Sequence, residues 1–253
     1  MFSEITLLYR HGKQFIPDIY KAKVPAPYKG RPEISTEKLN EEETKELVDL
    51  CPTNAIKANP SITLDLGKCV FCGECALRFP HKLKFTQDHR MSSNEPEGLI
   101  IKEGQTEITL NPDKIRKEIL TYFGKSLKLR QVSAAGDNSY ECELNACGNV
   151  NFDMARFGIE FVASPRHADG IVITGPISEN MAQAVQICYD AVPQPKIIIL
   201  VGVDAISGGI FAGSKALNRS FLDKYPVDLY VPGNPPHPLT FIAGVLEMTR
   251  RKR

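Results

Sequence analysis

The stretch CVFCGEC at residues 69–75 decides how this chain is organised. It places Cys69, Cys72 and Cys75 at C-x2-C-x2-C spacing on one short loop, and Cys51 stands upstream in front of a proline. Thiolates are soft ligands that favour thiophilic metals, and such a triplet with a remote Cys-Pro is a ligand pattern of [4Fe–4S] clusters. We therefore expect these four cysteines to form one complete ligand set for one [4Fe–4S] cluster.

A second cluster of this kind would need another triplet upstream and another cysteine downstream. Glu41, Thr44 and Leu47 occupy the triplet positions, and Phe79, still followed by a proline, stands where the reciprocal cysteine would be. Since all the missing ligands belong to one cluster, the pattern predicts a single cluster. A structural zinc site on the same thiols is the alternative, although zinc sites usually use two C-x2-C pairs. A disulfide framework is less compatible with seven cysteines, an odd number.

Composition excludes several classes of protein. A chain of 253 residues has room for one or two domains, and a net charge of +1 argues against nucleic-acid partners recruited by bulk charge. The first nine residues are too short for a signal peptide, and no apolar run reaches the roughly 20 residues of a spanning helix. We expect a cytoplasmic protein without direct membrane insertion, held at the inner face of the cell membrane only through partners.

The first half of the chain divides into three predicted segments. Residues 1–30, rich in Tyr, Pro and Lys, predict an extended arm along a neighbour, with a mobile terminus as the alternative. Residues 31–85 predict a single-cluster α+β unit. Its helix over 41–50 would be capped by Ser35 or Thr36, and a short strand follows at 62–66.

Residues 86–131 predict a connector. Apolar runs at 99–101 and 107–110 favour strands of one hairpin, and Asn111 before Pro112 favours the start of a helix that continues to Leu127.

Strand and helix patterns alternate from residue 132 onward. The predicted strands cover 159–162, 170–174, 196–203 and 227–231, and the predicted helices cover 182–191 and 238–248. This alternation indicates an open α/β domain over 132–249, in which ligands bind at the carboxyl ends of the strands. The expected fold class is therefore α/β, with a ferredoxin-like α+β unit followed by a flavodoxin-like parallel-sheet domain.

Five motifs in the second half carry a family resemblance. They are RFGI at 156–159, SPRHAD at 164–169, TGP at 174–176, ISGG at 206–209 and PGNPP at 232–236. Together they resemble the small subunit of formate-hydrogenlyase-type, energy-converting [NiFe] hydrogenases, which is kin to the 20 kDa subunit of respiratory complex I. The N-terminal third, including YKGRP at 28–32, resembles the ferredoxin-like partner subunit. The resemblance implies a fusion of the two subunits, with a hydrogenase-like large subunit and membrane subunits as partners.

The same resemblance implies a second [4Fe–4S] cluster on four cysteines of the C-terminal domain, and here the sequence departs from the family. In the register without gaps, the four positions hold Asp137, Tyr140, Asp204 and Asn234. A register shifted by two residues moves the first two positions to Ser139 and Cys142, and still leaves only one thiolate. Because carboxylate and amide oxygens are hard donors, we expect no cluster in this domain.

Several further side chains have two open interpretations. Arg166, His167 and Asp169 are candidates for proton handling or partner contact, or for a structural network with Arg–Asp pairing. Glu141 and Glu143 match acidic positions of the family, where they would pass protons or simply be solvated carboxylates.

The remaining cysteines are also ambiguous. Cys142 and Cys147 are either a redox pair or separate thiols, and Cys188 is expected in the core.

These patterns predict an iron–sulfur subunit of a hydrogenase-related or complex I-related, membrane-associated redox complex. It would belong to an oxidoreductase without being catalytic alone, because the resemblance implies that nickel is held by another subunit. The alternative is a scaffold or assembly subunit with a structural metal site and no electron transfer. A soluble single-cluster ferredoxin is the third hypothesis.

Overall fold

A computed structural model describes residues 2–250 of the chain. The strands are β1 Pro32–Ile34, β2 Ile56–Lys57, β3 Thr63–Asp65, β4 Leu83–Phe85, β5 Ile100–Lys102, β6 Leu127–Ser133, β7 Ile159–Phe161, β8 Gly170–Thr174, β9 Ile197–Val201 and β10 Leu229–Val231. The α-helices are α1 Phe2–His11, α2 Glu41–Asp49, α3 Glu74–Arg78, α4 Lys117–Tyr122, α5 Ser139–Ala146, α6 Glu179–Ala191, α7 Val203–Ser207, α8 Ser220–Lys224 and α9 Pro238–Thr249.

The C-terminal half is built on a five-stranded parallel sheet. Its order is β10-β9-β8-β6-β7, and every neighbouring pair is parallel. All residues of β8 and β9 are buried, as expected for strands covered on both faces. The α/β prediction is therefore confirmed for this half of the chain.

The strand β6, which lies between β8 and the edge strand β7, was not predicted from the sequence. Leu127 was expected on one face of a helix, but it begins β6 and is fully buried. The preceding segment is not one helix. A 3-10 turn at Pro112–Lys114, capped by Asn111, is followed by extended backbone at Arg116 and then by α4. The Arg116 guanidinium holds this break, because it donates to Asp228 Oδ1 at 2.7 Å beside β10.

The N-terminal half contains two small antiparallel sheets, β1-β4 and β2-β3-β5. β5 pairs with β3 through the register Leu64–Ile101, so the N-terminal sheet and core continue past residue 86. The predicted hairpin is wrong for this reason, and residues 107–110 do not form a strand. The cap of α2 is also corrected. Asn40 begins the helix in a capping box with Glu43, a contact that spans only three residues.

The N-terminal lead is only partly extended. Residues Phe2–His11 form helix α1, which contradicts the predicted arm, and Met1 lies outside the described residues. The following segment does lie along a neighbour, namely the chain's own α/β domain. Tyr20 Oη donates to Ala243 O at 3.3 Å, and Ile19 is buried in the core of that domain. No helix within residues 2–250 is long and apolar enough to cross a membrane.

The two halves pack against each other at the carboxyl ends of the parallel strands. Ser93 and Tyr230 form a two-way backbone bridge, with N–H···O distances of 3.0 and 2.7 Å. Ile206, just after β9, contacts the hydrophobic cores of both halves. This packing brings the CVFCGEC loop to the loops where an α/β domain usually binds its ligands.

Candidate functional site

The four cysteines predicted as ligands line one cavity. Cys69 and Cys75 are buried, Cys51 is half-buried, Cys72 is exposed, and none of them forms a disulfide. The cavity has an empty volume of about 330 Å³. Its wall is completed largely by apolar residues, including Leu50, Ala55, Ile56, Leu64, Val70 and Phe85. Four residues from two separate stretches are therefore brought around one enclosed space.

Backbone groups and burial set the electrostatics of this cavity. The N–H of Ala55 donates to Cys51 Sγ at 3.3 Å, and the N–H of Phe71 donates to Cys69 Sγ at 3.4 Å. Burial, with a smaller repulsion from the other thiols, raises the pKa of Cys69 to about 12 and that of Cys75 to about 11. Buried thiolates are thus costly here unless cationic metal compensates them. The donor set fits a thiophilic iron–sulfur group that provides this compensation.

Thiolates are ligands of iron–sulfur clusters and also of single zinc ions. Among residues 2–250, no group of three or more His, Cys, Asp or Glu side chains is arranged to hold one metal ion. A tetrahedral zinc site needs such a group, because its Zn–S bonds are only about 2.3 Å long. In a [4Fe–4S] cluster each thiolate binds a different iron, so the four sulfurs stand further apart. Both groups use thiolate ligands, so the metal content of the protein decides between them.

A lysine of the N-terminal segment contacts the cysteine loop. Lys29 Nζ donates to Phe71 O at 3.2 Å and also to Cys72 O. A side chain at Gly73 would collide with this ammonium, since its Cβ would lie 2.6 Å from Lys29 Nζ, and Gly73 has a φ of +88°. Lys29 was not predicted as a site residue, although it lies inside the YKGRP motif that the family resemblance used.

The positions of the family's second cluster lie at the carboxyl ends of the strands. Tyr140 is completely buried, and its Oη donates to Asn234 Oδ1 at 2.8 Å. Its ring presses on Gly202, where a Cβ would stand 1.9 Å from a ring carbon. Asp204 is next to the phenol, so three of the four predicted positions meet here. The fourth, Asp137, accepts hydrogen bonds from the N–H and hydroxyl of Ser139, two residues further along the chain, and its charge acts on Tyr140 and Asp204.

Burial shapes the chemistry of this second region. Desolvation, followed by the negative charge of Asp204, raises the pKa of Tyr140, so the phenol stays protonated. Desolvation also raises the pKa of Asp204. The Arg219 guanidinium donates to the carbonyl oxygens of Asp204, Ala205 and Ile206 in α7 and to that of Pro176 after β8. These hydrogen bonds hold α7 in place beside the site. The region is tightly packed, and its side chains offer oxygen and amide donors, which are hard ligands. Such donors do not fit an iron–sulfur cluster.

The shifted register finds no support in the geometry. Cys142 is exposed on α5, whereas Tyr140 faces Asn234, as the register without gaps requires. Cys147 is buried, and its thiol contacts Glu143 O and Pro238 O rather than Cys142. Cys188 is half-buried against the core.

The other candidates are placed apart from both regions or serve packing. Arg166 and His167 are exposed. Asp169 accepts from the N–H of Lys128 at 2.6 Å, so its partner is backbone rather than the predicted arginine. Glu141 is buried and accepts from Thr174 Oγ1 on β8. Glu143 is half-buried, and desolvation raises its pKa.

Two comparisons decide the family of the C-terminal half. A sequence profile described as "NADH ubiquinone oxidoreductase, 20 Kd subunit" matches residues 138–248. The probable membrane-bound hydrogenase subunit mbhJ of Pyrococcus furiosus is 33% identical over 129 residues, which cover 51% of this chain and 77% of that protein. The chain belongs to the 20 kDa subunit family. Its C-terminal half is thus related to a subunit of a membrane-bound hydrogenase.

Other relatives in the 20 kDa subunit family come from NADH-quinone oxidoreductase. One such subunit, from Heliobacterium modesticaldum, is 47% identical over 107 residues, covering 42% of this chain and 61% of that protein. Its counterpart in Bacteroides thetaiotaomicron is 42% identical over 110 residues, covering 43% and 56%. The chain therefore spans less than two thirds of these two relatives. A chain from the structure of the membrane-bound sulfane sulfur reductase, an archaeal respiratory membrane complex, is 30% identical, with 53% and 75% coverage and a TM-score of 0.45.

The 20 kDa family match covers only one of the two regions described above. It contains Tyr140, Asp204 and Asn234 but begins after all four cysteines of the N-terminal cavity. The family assignment therefore rests on the α/β domain, and the four-cysteine cavity lies outside the matched residues.

Proposed function

We propose that the chain is an iron–sulfur subunit of a membrane-associated redox complex related to hydrogenase or complex I. It carries one [4Fe–4S] cluster on Cys51, Cys69, Cys72 and Cys75. The single observation that carries the proposal is the convergence of these four thiols, two of them with backbone N–H donors, on one enclosed cavity. The chain is then a fusion of a ferredoxin-like unit with a 20 kDa-type domain, and the N-terminal unit extends beyond the predicted residue 85 to include β5.

The bound cluster supplies a one-electron donor and acceptor. The residues around it bind it and exclude water: Cys69 and Cys75 are buried, and the cavity wall is apolar. Cys72 is exposed, so the thiolate at that position lies at the surface where a redox partner can approach. Electron transfer therefore enters or leaves at the side of Cys72.

The C-terminal domain carries no cluster in this proposal. The support is that the Tyr140 ring is buried against Gly202 and that its hydroxyl donates to Asn234 Oδ1. This domain instead docks the chain on a large subunit and on membrane subunits of the same complex. This docking role is proposed because the domain is related to subunits of a membrane-bound hydrogenase and of NADH-quinone oxidoreductase. Attachment to the membrane is then peripheral and goes through these partners.

Metal analysis and spectroscopy test the proposal. We expect anaerobically purified protein to contain about four iron and four acid-labile sulfide, with one EPR signal after dithionite reduction. Cys72→Ser should abolish the signal, because a hydroxyl is a hard ligand. Cys142→Ser is the matched control, since Cys142 is equally exposed but lies outside the cavity, and it should keep all iron.

Two other results would contradict parts of the proposal. Zinc in place of iron would favour the alternative function, a scaffold or assembly subunit, which the hard donors of the C-terminal region also suit. About eight iron would mean that the C-terminal domain binds a cluster despite Tyr140 and Asn234.

A further inference from the structure

The cysteine loop is held from outside by two residues far away in sequence. Three consecutive carbonyl groups of the loop accept hydrogen bonds, those of Val70, Phe71 and Cys72. Lys29 donates to the last two, and Asn234 Nδ2 donates to Val70 O at 3.4 Å. The donor to Val70 thus comes from the C-terminal domain, and from a position where the family resemblance implies a cluster cysteine.

The peptide between Val70 and Phe71 links Asn234 to a cluster ligand. In a planar trans peptide the C=O and the N–H point in opposite directions. The Val70 carbonyl faces Asn234, and the N–H of Phe71 in the same peptide donates to Cys69 Sγ at 3.4 Å. A donor on the carbonyl polarises the peptide and strengthens its N–H as a donor, since hydrogen bonds in a chain reinforce one another.

Tyr140 fixes the orientation of the Asn234 side chain. Because the Asn234 Oδ1 accepts from Tyr140 Oη at 2.8 Å, its Nδ2 is the group left to face Val70 O. Tyr140 is itself immobilised by complete burial against Gly202. A continuous path therefore runs from Tyr140 through Asn234 and the 70–71 peptide to Cys69 Sγ.

We infer that Asn234 is a positioning residue for the N-terminal cluster and that it raises the reduction potential of this cluster. Hydrogen bonds to cluster sulfurs set the potential, and a stronger N–H donor stabilises the reduced, more negative state. The site that lost its own cluster ligands thereby tunes the cluster of the other half. The inference rests on the proposed function, because it requires a cluster on the four cysteines.

An EPR-monitored redox titration of the full chain tests this inference. In Asn234→Asp an acceptor replaces the Nδ2 donor and faces the Val70 carbonyl, while the Tyr140 contact is kept. We expect the one-electron potential to fall, by up to a tenfold change in the reduction equilibrium constant, or about 59 mV. Asn145→Asp, on the exposed side of α5, adds the same charge without contacting the cysteine loop and should keep the wild-type potential.

Asn234→Leu provides a second test if Asn234→Asp does not load iron. Leucine has nearly the size of asparagine and removes the donor without adding charge, so a smaller fall in potential is expected. Iron content is measured on every sample. Loaded Asn234 variants with the wild-type potential would overturn the inference while leaving the proposed function intact, whereas wild-type protein without iron would overturn the proposed function itself.

Discussion

The four-cysteine cavity and the Tyr140 region are the two places in this chain where the family resemblance implies a cluster. The first keeps four cysteines, and the second has Asp137, Tyr140, Asp204 and Asn234 instead. In the first, four soft donors surround one cavity, and burial raises the pKa of the Cys69 thiol. In the second, an aromatic ring packs against a glycine and the polar groups pair with one another. The comparison teaches that the Tyr140 region fills its volume and pairs its phenol without metal, whereas the four cysteines leave a cavity between their thiols.

Removal of iron should have the largest effect, and it should be confined to the first region. We expect a chelator under oxidising conditions to lower amide protection around residues 51–79 by roughly ten-thousandfold or more, because metal binding energy is folding energy at such a site. Amides of β8 and β9 serve as the internal control and should keep their protection. Hydrogen exchange followed by mass spectrometry measures both. If the amides of residues 51–79 were equally protected with and without iron, the first region would not depend on metal, and the prediction would be wrong.

Truncation of the aromatic ring should be the next largest effect, in the second region. Tyr140→Ala leaves a cavity beside Gly202, and we expect it to lower the free energy of unfolding by about 3–5 kcal/mol. Urea denaturation of the iron-loaded protein measures this. Tyr122→Ala, at an exposed tyrosine of α4, is the control and should change the stability little. A small effect of Tyr140→Ala would mean that the ring does not fill the place of a cluster.

Removal of the Tyr140 hydroxyl alone should cost less. Tyr140→Phe keeps the ring and deletes the hydrogen bond to Asn234, so a loss of about 1 kcal/mol is expected. Tyr122→Phe is the matched control in the same denaturation experiment. A Tyr140→Phe protein as stable as wild type would show that the polar network contributes nothing beyond the packing of the ring.

The charge of Asp204 should give the smallest effect, with a defined pH dependence. Its pKa is raised in the folded state, mainly by burial, so the fold favours the protonated form and ionisation at neutral pH costs stability. Asp204→Asn is therefore expected to raise the melting temperature at pH 7 slightly, and the gain should disappear as the pH falls through the raised pKa. Asp137→Asn should do the opposite at pH 7, because hydrogen bonds from Ser139 lower the pKa of Asp137. The same sign for both variants would contradict this assignment.

The sequence was informative wherever the deciding contacts are local. The spacing of Cys69, Cys72 and Cys75 along one loop predicted that these thiols lie together, and they line one cavity with Cys51. The continuous apolar runs of β8 and β9 identified a buried parallel sheet. It failed for β6, whose apolar positions resemble a helix face until the strand is placed between β7 and β8. It failed also for α1, because the Pro and Lys residues that suggested an extended arm all lie after residue 11.

By itself, the sequence determined the thiol set of the first half, the α/β class of the second half and the absence of cysteine at the second cluster position. Only the tertiary structure decided which groups surround Tyr140 at that position and which groups hold the cysteine loop. Tyr140 and Asn234 are 94 residues apart, and Asn234 and Val70 are 164 residues apart. The physical reason is that ligand spacing and strand patterning are encoded by neighbours along the chain, whereas hydrogen bonds across two packed halves depend on how the whole fold closes.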